Sequence, residues 1–296
     1  MIPREIARRA ELSDRWLSDR LDSVRSEVEA AANRARIDLG AAIAERWPDG
    51  DQPVALRDLA VMRQIINAEI DAFGRTLAGI SIQARQDVQR RAVEDVARVW
   101  AVATSGEMSQ IVDILLASLP EIPTDPAQHA RDVGGVLGRY ATVSAVQRDS
   151  RAMLSRKLFA PKGSVFSTRA GRIPASLDVD AAVAYHAAAQ ISMEVAAVSA
   201  PTSTGAIEFV KRDVEIIDAK NHPISRVLNG QTVPIQAPFV ARFADVEREA
   251  AAMGRSTAAG AVLWSRKSDA WVGLTLPAHY NERGRVQMLA QSWLEG

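Results

Sequence analysis

The chain reads as an α+β protein, mostly helical in its N-terminal region and carrying a small α+β domain at its C-terminal end. Three observations predict this. Apolar residues recur at helical spacing through the first 105 positions. Short strand-like runs bounded by Gly, Pro and Asn gather after residue 205. Between them, Ser150–Leu177 carries six cations and no acid. The expected organisation is a helical domain or hairpin bundle over 1–159, a basic linker or arm over 160–177, and an α+β domain over 178–296.

The bulk composition is that of a globular protein, 47% hydrophobic and 24% charged. With 296 residues the chain can bury a sizeable core without a staple. There is no cysteine, which excludes disulfides, thiolate nucleophiles and cysteine zinc sites. No apolar signal core and no apolar span of about 20 residues is apparent, so no membrane insertion is expected. Formal charge is zero but uneven. Residues 1–150 hold 19 basic and 23 acidic side chains, and the remainder holds 17 and 13.

In the first helix, Leu17, Leu21, Val24, Val28, Ala31 and Ala35 alternate steps of four and three, a heptad-like seam. Trp47-Pro48-Asp49-Gly50-Asp51 breaks it. A second seam runs through Leu56, Leu59, Ile66, Ile70, Phe73, Leu77 and Ile80, interrupted by Arg63. Val88, Ala92, Val96, Val99 and Ala103 continue it. Two long amphipathic helices joined by a short loop fold back as an antiparallel hairpin. Their narrow, Ala-rich seam also suits self-association.

Met108–Leu119 is a short apolar helix. Asp125 before Pro126 reads as an N-cap followed by proline at the first helical position, opening a helix from about Ala127 to Phe159. The Gly134-Gly135-Val136-Leu137-Gly138 run lacks the Gly-Lys-Ser/Thr ending of a phosphate loop. Ala160–Leu177, with two prolines, two glycines and three serines, reads as a linker. Arg151, Arg156, Lys157, Lys162, Arg169 and Arg172 make this region the candidate contact for nucleic acid or an acidic partner. A solvated linker accounts for the same charges.

Asp178 and Asp180 are read as opening the next helix, with Val179, Val183, Ala187, Ile191, Val195 and Val198 as its apolar stripe. His186, Gln190 and Glu194 recur every four residues on a neighbouring face, either a site or a hydrogen-bonded surface. Phe209–Asp218 reads as a strand, Gln231–Ile235 as its partner and Phe243–Met253 as a helix. Ala261–Trp264 and Trp271–Leu274 read as two further strands. A last strand or helix lies near Met288-Leu289.

Val214–Pro234 combines an apolar run, a polar knuckle with Asp218, His222 and Pro223, and the turn-forming Asn229-Gly230-Gln231. Later comes Pro277-Ala278-His279-Tyr280-Asn281-Glu282-Arg283-Gly284. In this order the pieces resemble the phage Mu F-like head morphogenesis family, also called minor capsid or minor head proteins. In that family a helix precedes a strand, followed by an Asp and a Cys-x-x-Cys knuckle and a cluster ending in Asp/Asn-Gly-Gln. A later loop reads roughly Pro-x-His-Pro-Asn-Cys-Arg-Cys. The knuckle cysteines align with His222 and Ser225, and those of the late loop with Glu282 and Gly284. His279, Asn281 and Arg283 match. The resemblance covers about residues 178–290.

It implies a structural component inside the capsid near the portal, present in the host cytoplasm during assembly. It implies action in head assembly and in DNA packaging or ejection. The implied partners are portal protein, major capsid or scaffold protein, and packaged DNA. No cofactor and no catalytic residue is expected. Asp218, His222, Asn229, Gly230, Gln231, His279, Asn281 and Arg283 would form a structural knuckle.

Two other classes stay open. Asp218, His222, His279 and Glu282 offer oxygen and nitrogen ligands to a divalent ion, and so a metal-dependent hydrolase; hydrogen bonding that pins two loops uses the same side chains. No Gly-x-Ser-x-Gly elbow accompanies Ser225. A nonspecific DNA-binding protein is the third class. Zero net charge argues against DNA binding as the main task of the whole chain.

Overall fold

The computed structural model describes all residues except 49–50, 121–125, 160–164, 171, 201–206, 215–221, 256–268, 277–283 and 296, and except the side chains of 165, 170 and 174–176. The fold is α+β. Among the described residues the order is α1 (Arg4–Arg46), α2 (Leu59–Thr104), α3 (Met108–Ala117), α4 (Pro126–Val146), α5 (Arg151–Phe159), α6 (Val165–Ala170), α7 (Ile173–Ser199), β1 (Phe209–Val214), α8 (Pro223–Leu228), β2 (Thr232–Pro234), β3 (Phe239–Arg242), α9 (Phe243–Ala252), β4 (Ala270–Gly273) and β5 (Arg285–Ala290). No described helix is long and apolar enough to cross a membrane.

The chain forms two compact units, each discontinuous in sequence. One comprises Met1–Leu21, Arg85–Ile122 and Val179–Gly296, the other Asp22–Ala84 and Pro123–Asp178. Three of the four boundaries fall inside α1, α2 and α7, and the fourth falls between α3 and α4.

In the first unit, the start of α1 runs antiparallel to the end of α2. Arg9 pairs with Glu94 and Asp95, and Arg20 with Asp87. The core joins Leu17 to Val88, Val93, Val96 and Trp100, to Tyr185 and Met193 of α7, and to Phe209, Leu228, Phe239 and Leu289. β1 lies at the centre of an antiparallel sheet ordered β2-β1-β5, with Phe209 opposite Ala290 and Val214 opposite Arg285. β3 and β4 form a separate antiparallel pair. The last apolar run is strand β5, fixed by its pairing with β1, and Val286, Met288, Leu289 and Ala290 are buried. Phe239–Arg242 was not anticipated as a strand.

In the second unit, the seams of α1 and α2 are buried at Val24, Val28, Leu39, Met62, Ile66, Ile70, Phe73 and Leu77. Met62 takes the inward position beside exposed Arg63. Leu56, expected in the seam, is 65% exposed, because it belongs to a 3-10 turn that precedes α2.

Several expectations change. The helix from Ala127 to Phe159 is two helices. After Val146 the chain turns, with Arg148 at φ 56°, and Val54 N donates to Asp149 O while Arg151 N donates to Gln52 O. Ser150 Oγ then caps α5 by accepting from Met153 N at 3.1 Å. Asp125 lies outside the described residues. The linker reading of 160–177 is corrected where the chain is described: α6 and the start of α7 are helical, and Phe166, Ile173 and Leu177 are buried. Asp178 sits inside α7 rather than at its start, bonded to Arg25.

The stripe expected on α7 is also corrected. Val183 and Val198 are exposed, while Ala181, Ala184, Ala188, Ser192 and Ala196 are buried with Tyr185 and Met193. Small side chains let neighbouring elements approach this face closely, so it buries in preference to the valines.

Candidate functional site

The Asn-Gly-Gln motif closes the sheet around β1. His222, in extended conformation, precedes Pro223 at the first position of α8, and its Nδ1 accepts from Ile224 N at 3.3 Å. This is a side-chain cap on an otherwise unpaired helical donor. α8 ends at Asn229, whose N–H donates to Ser225 O at 2.9 Å. Gly230 follows at φ 81°, a backbone state that favours glycine. Its N–H donates to Asp213 O at 2.8 Å, and Asp213 N returns a bond to Gln231 O at 3.0 Å. The motif thereby delivers the chain from α8 into β2, which pairs with β1.

Gln231 reaches further. Its Nε2 donates to Val240 O at 3.0 Å and its Oε1 accepts from Val240 N at 2.9 Å. One side-chain amide thus pairs with β3 as a neighbouring strand would.

Asp218, His279, Asn281, Glu282 and Arg283 lie outside the described residues, as do Ile216 and Ile217. Among the described residues, no group of three or more His, Asp or Glu side chains is disposed to hold a metal ion. Ser225, at the second knuckle position, is buried within α8.

A polar cluster beneath β1 joins the His186, Gln190 and Glu194 face of α7 to Lys211. Alternation places Phe209, Lys211 and Asp213 on one face of β1, and all three are buried. Lys211 Nζ donates to Gln190 Oε1 at 3.0 Å and to Leu274 O, and lies 5.3 Å from the Phe239 ring centre. Gln190 Nε2 donates to Glu194 Oε1 at 2.7 Å and to Ile235 O at 3.0 Å. His186 is buried one turn before Gln190. The recurring His186, Gln190 and Glu194 therefore form a polar face that is buried at His186 and Gln190 and half-buried at Glu194. Burial pushes the Lys211 ammonium down to about 8, against the opposing pull of Glu194. The sequence signal was Lys211 on the inward register of an apolar strand; its partners are distant in sequence.

A second buried cluster lies where α1, α2, α7 and β5 meet. Arg285 Nε donates to Asp14. Asp95 accepts from Ser13 Oγ at 2.7 Å, from Tyr185 Oη at 3.3 Å and from Arg9 Nε at 3.4 Å. A cavity of about 20 Å³, close to the space of one water molecule, is lined by Arg9, Asp95, Arg98, Tyr185 and Arg285. Burial raises the Tyr185 hydroxyl far above its ordinary range.

The six basic residues of 150–177 separate into different settings. Arg151 pairs with Asp58 at 3.3 Å and lies 5.6 Å from the Trp47 ring centre. Lys157 pairs with Asp149, and its hydrogen bond holds that carboxyl below the usual range. Arg156, Arg169 and Arg172 are exposed, and Lys162 lies outside the described residues.

No protein-family model, no curated protein and no solved structure matches this chain.

Proposed function

We propose that this chain is a structural component of a phage head, acting in head morphogenesis near the portal. The observation that supports it best is the use made of Asn229-Gly230-Gln231. In this motif the backbone closes β1 onto β2, and the Gln231 amide holds β3 by both of its polar atoms. A motif engaged in this way shapes a small domain. It leaves the Gln231 side chain committed to backbone rather than to a substrate. His222 caps α8 through Nδ1 in the same manner.

The α+β domain suits docking to portal, major capsid or scaffold protein. Assembly inside the host cytoplasm and retention in the particle follow from that role. Mass spectrometry of purified particles, with copy counting, tests it. The expected result is a low, fixed copy number that accompanies portal-containing particles. Finding the protein only free in lysate, with normal infectious particles formed in its absence, overturns the reading.

A further inference from the structure

We infer that the groove beside α4, lined by Arg131, Arg139, Arg169 and Arg172, binds the phosphate backbone of a polynucleotide. The groove encloses about 430 Å³ and also borders His129, Asp132 and Gly135. It lies within one compact unit, where α4 packs against α6.

Helix geometry arranges the cations. Arg131 and Arg139 are eight residues apart on α4, a rise of about 12 Å along the axis. That span matches the axial rise of three to four nucleotides, about 3.4 Å each along the duplex axis. Arg169 lies in the last turn of α6, and Arg172 N donates to Arg169 O at 3.2 Å, so both arginines sit at one turn before α7. All four are exposed, and Arg139, Arg169 and Arg172 enter no ion pair among the described residues. The one acid on the groove, Asp132, accepts from Gln128 Nε2 at 2.9 Å, and Gln128 in turn accepts from Arg131.

The chemistry of the lining selects the partner. Guanidinium groups present planar forks that match phosphate oxygens. At Gly135 a side-chain β-carbon would meet nothing within 4 Å, so bare backbone faces the opening. Val133, Val136 and Ile173 border the groove but are buried beneath it. The surface therefore offers charge and peptide without the open apolar pockets that anchor a peptide partner. A polyanion with regularly spaced charge fits it better than an acidic peptide. This does not depend on the head-assembly role, and it moves the basic contact from the 150–177 stretch to a groove that includes Arg131 and Arg139.

The test is fluorescence anisotropy on the full chain with a labelled duplex and a labelled single strand, and with poly-glutamate as competitor. Four phosphate contacts predict that duplex affinity falls roughly a hundredfold between about 50 and 200 mM salt. Arg139→Ala/Arg172→Ala should weaken binding at least tenfold at low salt and reduce the salt response to roughly tenfold. Both positions are exposed, and an unchanged circular dichroism spectrum verifies the fold. Arg156→Ala, outside the groove, should leave affinity unchanged. Loss of affinity for either nucleic acid in the double variant alone supports the groove, and the two labelled forms show which it prefers. Equal affinity in wild type and double variant, absence of binding in wild type, an equal loss in Arg156→Ala, or tighter binding of poly-glutamate each overturns it.

Discussion

Arg285 of β5 donates its Nε to the carboxylate of Asp14 on α1, tying the N-terminal helix to the last strand across 271 residues of sequence. Arg285 is 2% exposed, so its charge depends on this partner. Breaking a buried ion pair from one side leaves an uncompensated charge. Asp14→Ala should cost about 3 kcal/mol in urea unfolding, the low end of such losses because Asp95 and Tyr185 also face the arginine. Asp14→Leu combined with Arg285→Met should cost less than Asp14→Ala alone. Acid adds a second readout. Burial raises the Asp14 carboxyl above 3.8, against the opposing charge of Arg285. Just above pH 3.8 the folded state then holds a proton that the unfolded chain has released. This contribution is fully present below 3.8 and is lost as pH rises through the raised value, a slope that Asp14→Asn should abolish.

The glycines of α4 separate a packing role from a neutral one. A β-carbon at Gly134 would lie 3.2 Å from Ile70 Cγ1 and Cγ2, whereas one at Gly138 would meet nothing within 4 Å. Gly134→Val should therefore destabilise by about 1–3 kcal/mol through overpacking. Gly138→Ala should stabilise by about 0.5–1 kcal/mol through helix propensity. Thermal melts of the two variants should move in opposite directions.

The paired long helices were legible because charged residues fill the gaps between seam positions. The orientation of α7 was not. Its inward face is mostly alanine, so hydrophobicity pointed to Val183 and Val198, whereas close approach favoured Ala184 and Ala188. The break after Val146 was hidden because it is set by backbone pairing with Gln52–Val54, about a hundred residues away. β3 was too short to announce itself, and its pairing with β4 is non-local. In the candidate site, the spacing of His186, Gln190 and Glu194 was visible. The Lys211 ammonium that meets Gln190 was not, because contact across the fold decides it. Asn229-Gly230-Gln231 was legible as a turn, but nothing local revealed that Gln231 grips Val240.

That grip is separable from the turn. Gln231→Leu removes two hydrogen bonds to Val240 and should cost about 1–3 kcal/mol. Gly230→Ala leaves those bonds but places a side chain at φ 81°, and a β-carbon there has its nearest contact at 3.6 Å, to Arg212 Nη2. Its cost should be about 1–2 kcal/mol of backbone strain. Hydrogen exchange distinguishes them: Gln231→Leu should deprotect Val240 first, and Gly230→Ala should deprotect the β1–β2 pairing. Identical exchange patterns would contradict the separation.

Lys211 supplies the alkaline counterpart to Asp14. Its ordinary value of 10.5 falls to about 8 in the fold, chiefly through burial. Between about pH 8 and 10.5 the unfolded chain therefore binds more protons than the folded one. Stability from this group rises with pH across that window, by at most about 1.4 kcal/mol per pH unit, and is lowest below 8, where both states are protonated. Lys211→Met removes the titration, keeps an apolar stem against Phe239 and leaves Gln190 and Leu274 O without their donor. The variant should be less stable near pH 10, where wild type gains most, and the gap should narrow towards pH 7.5. Urea unfolding at about pH 7.5, 9 and 10 measures that gap directly. Parallel stability curves for the two proteins would place the titration of Lys211 outside this window and remove the buried amine as a source of pH dependence.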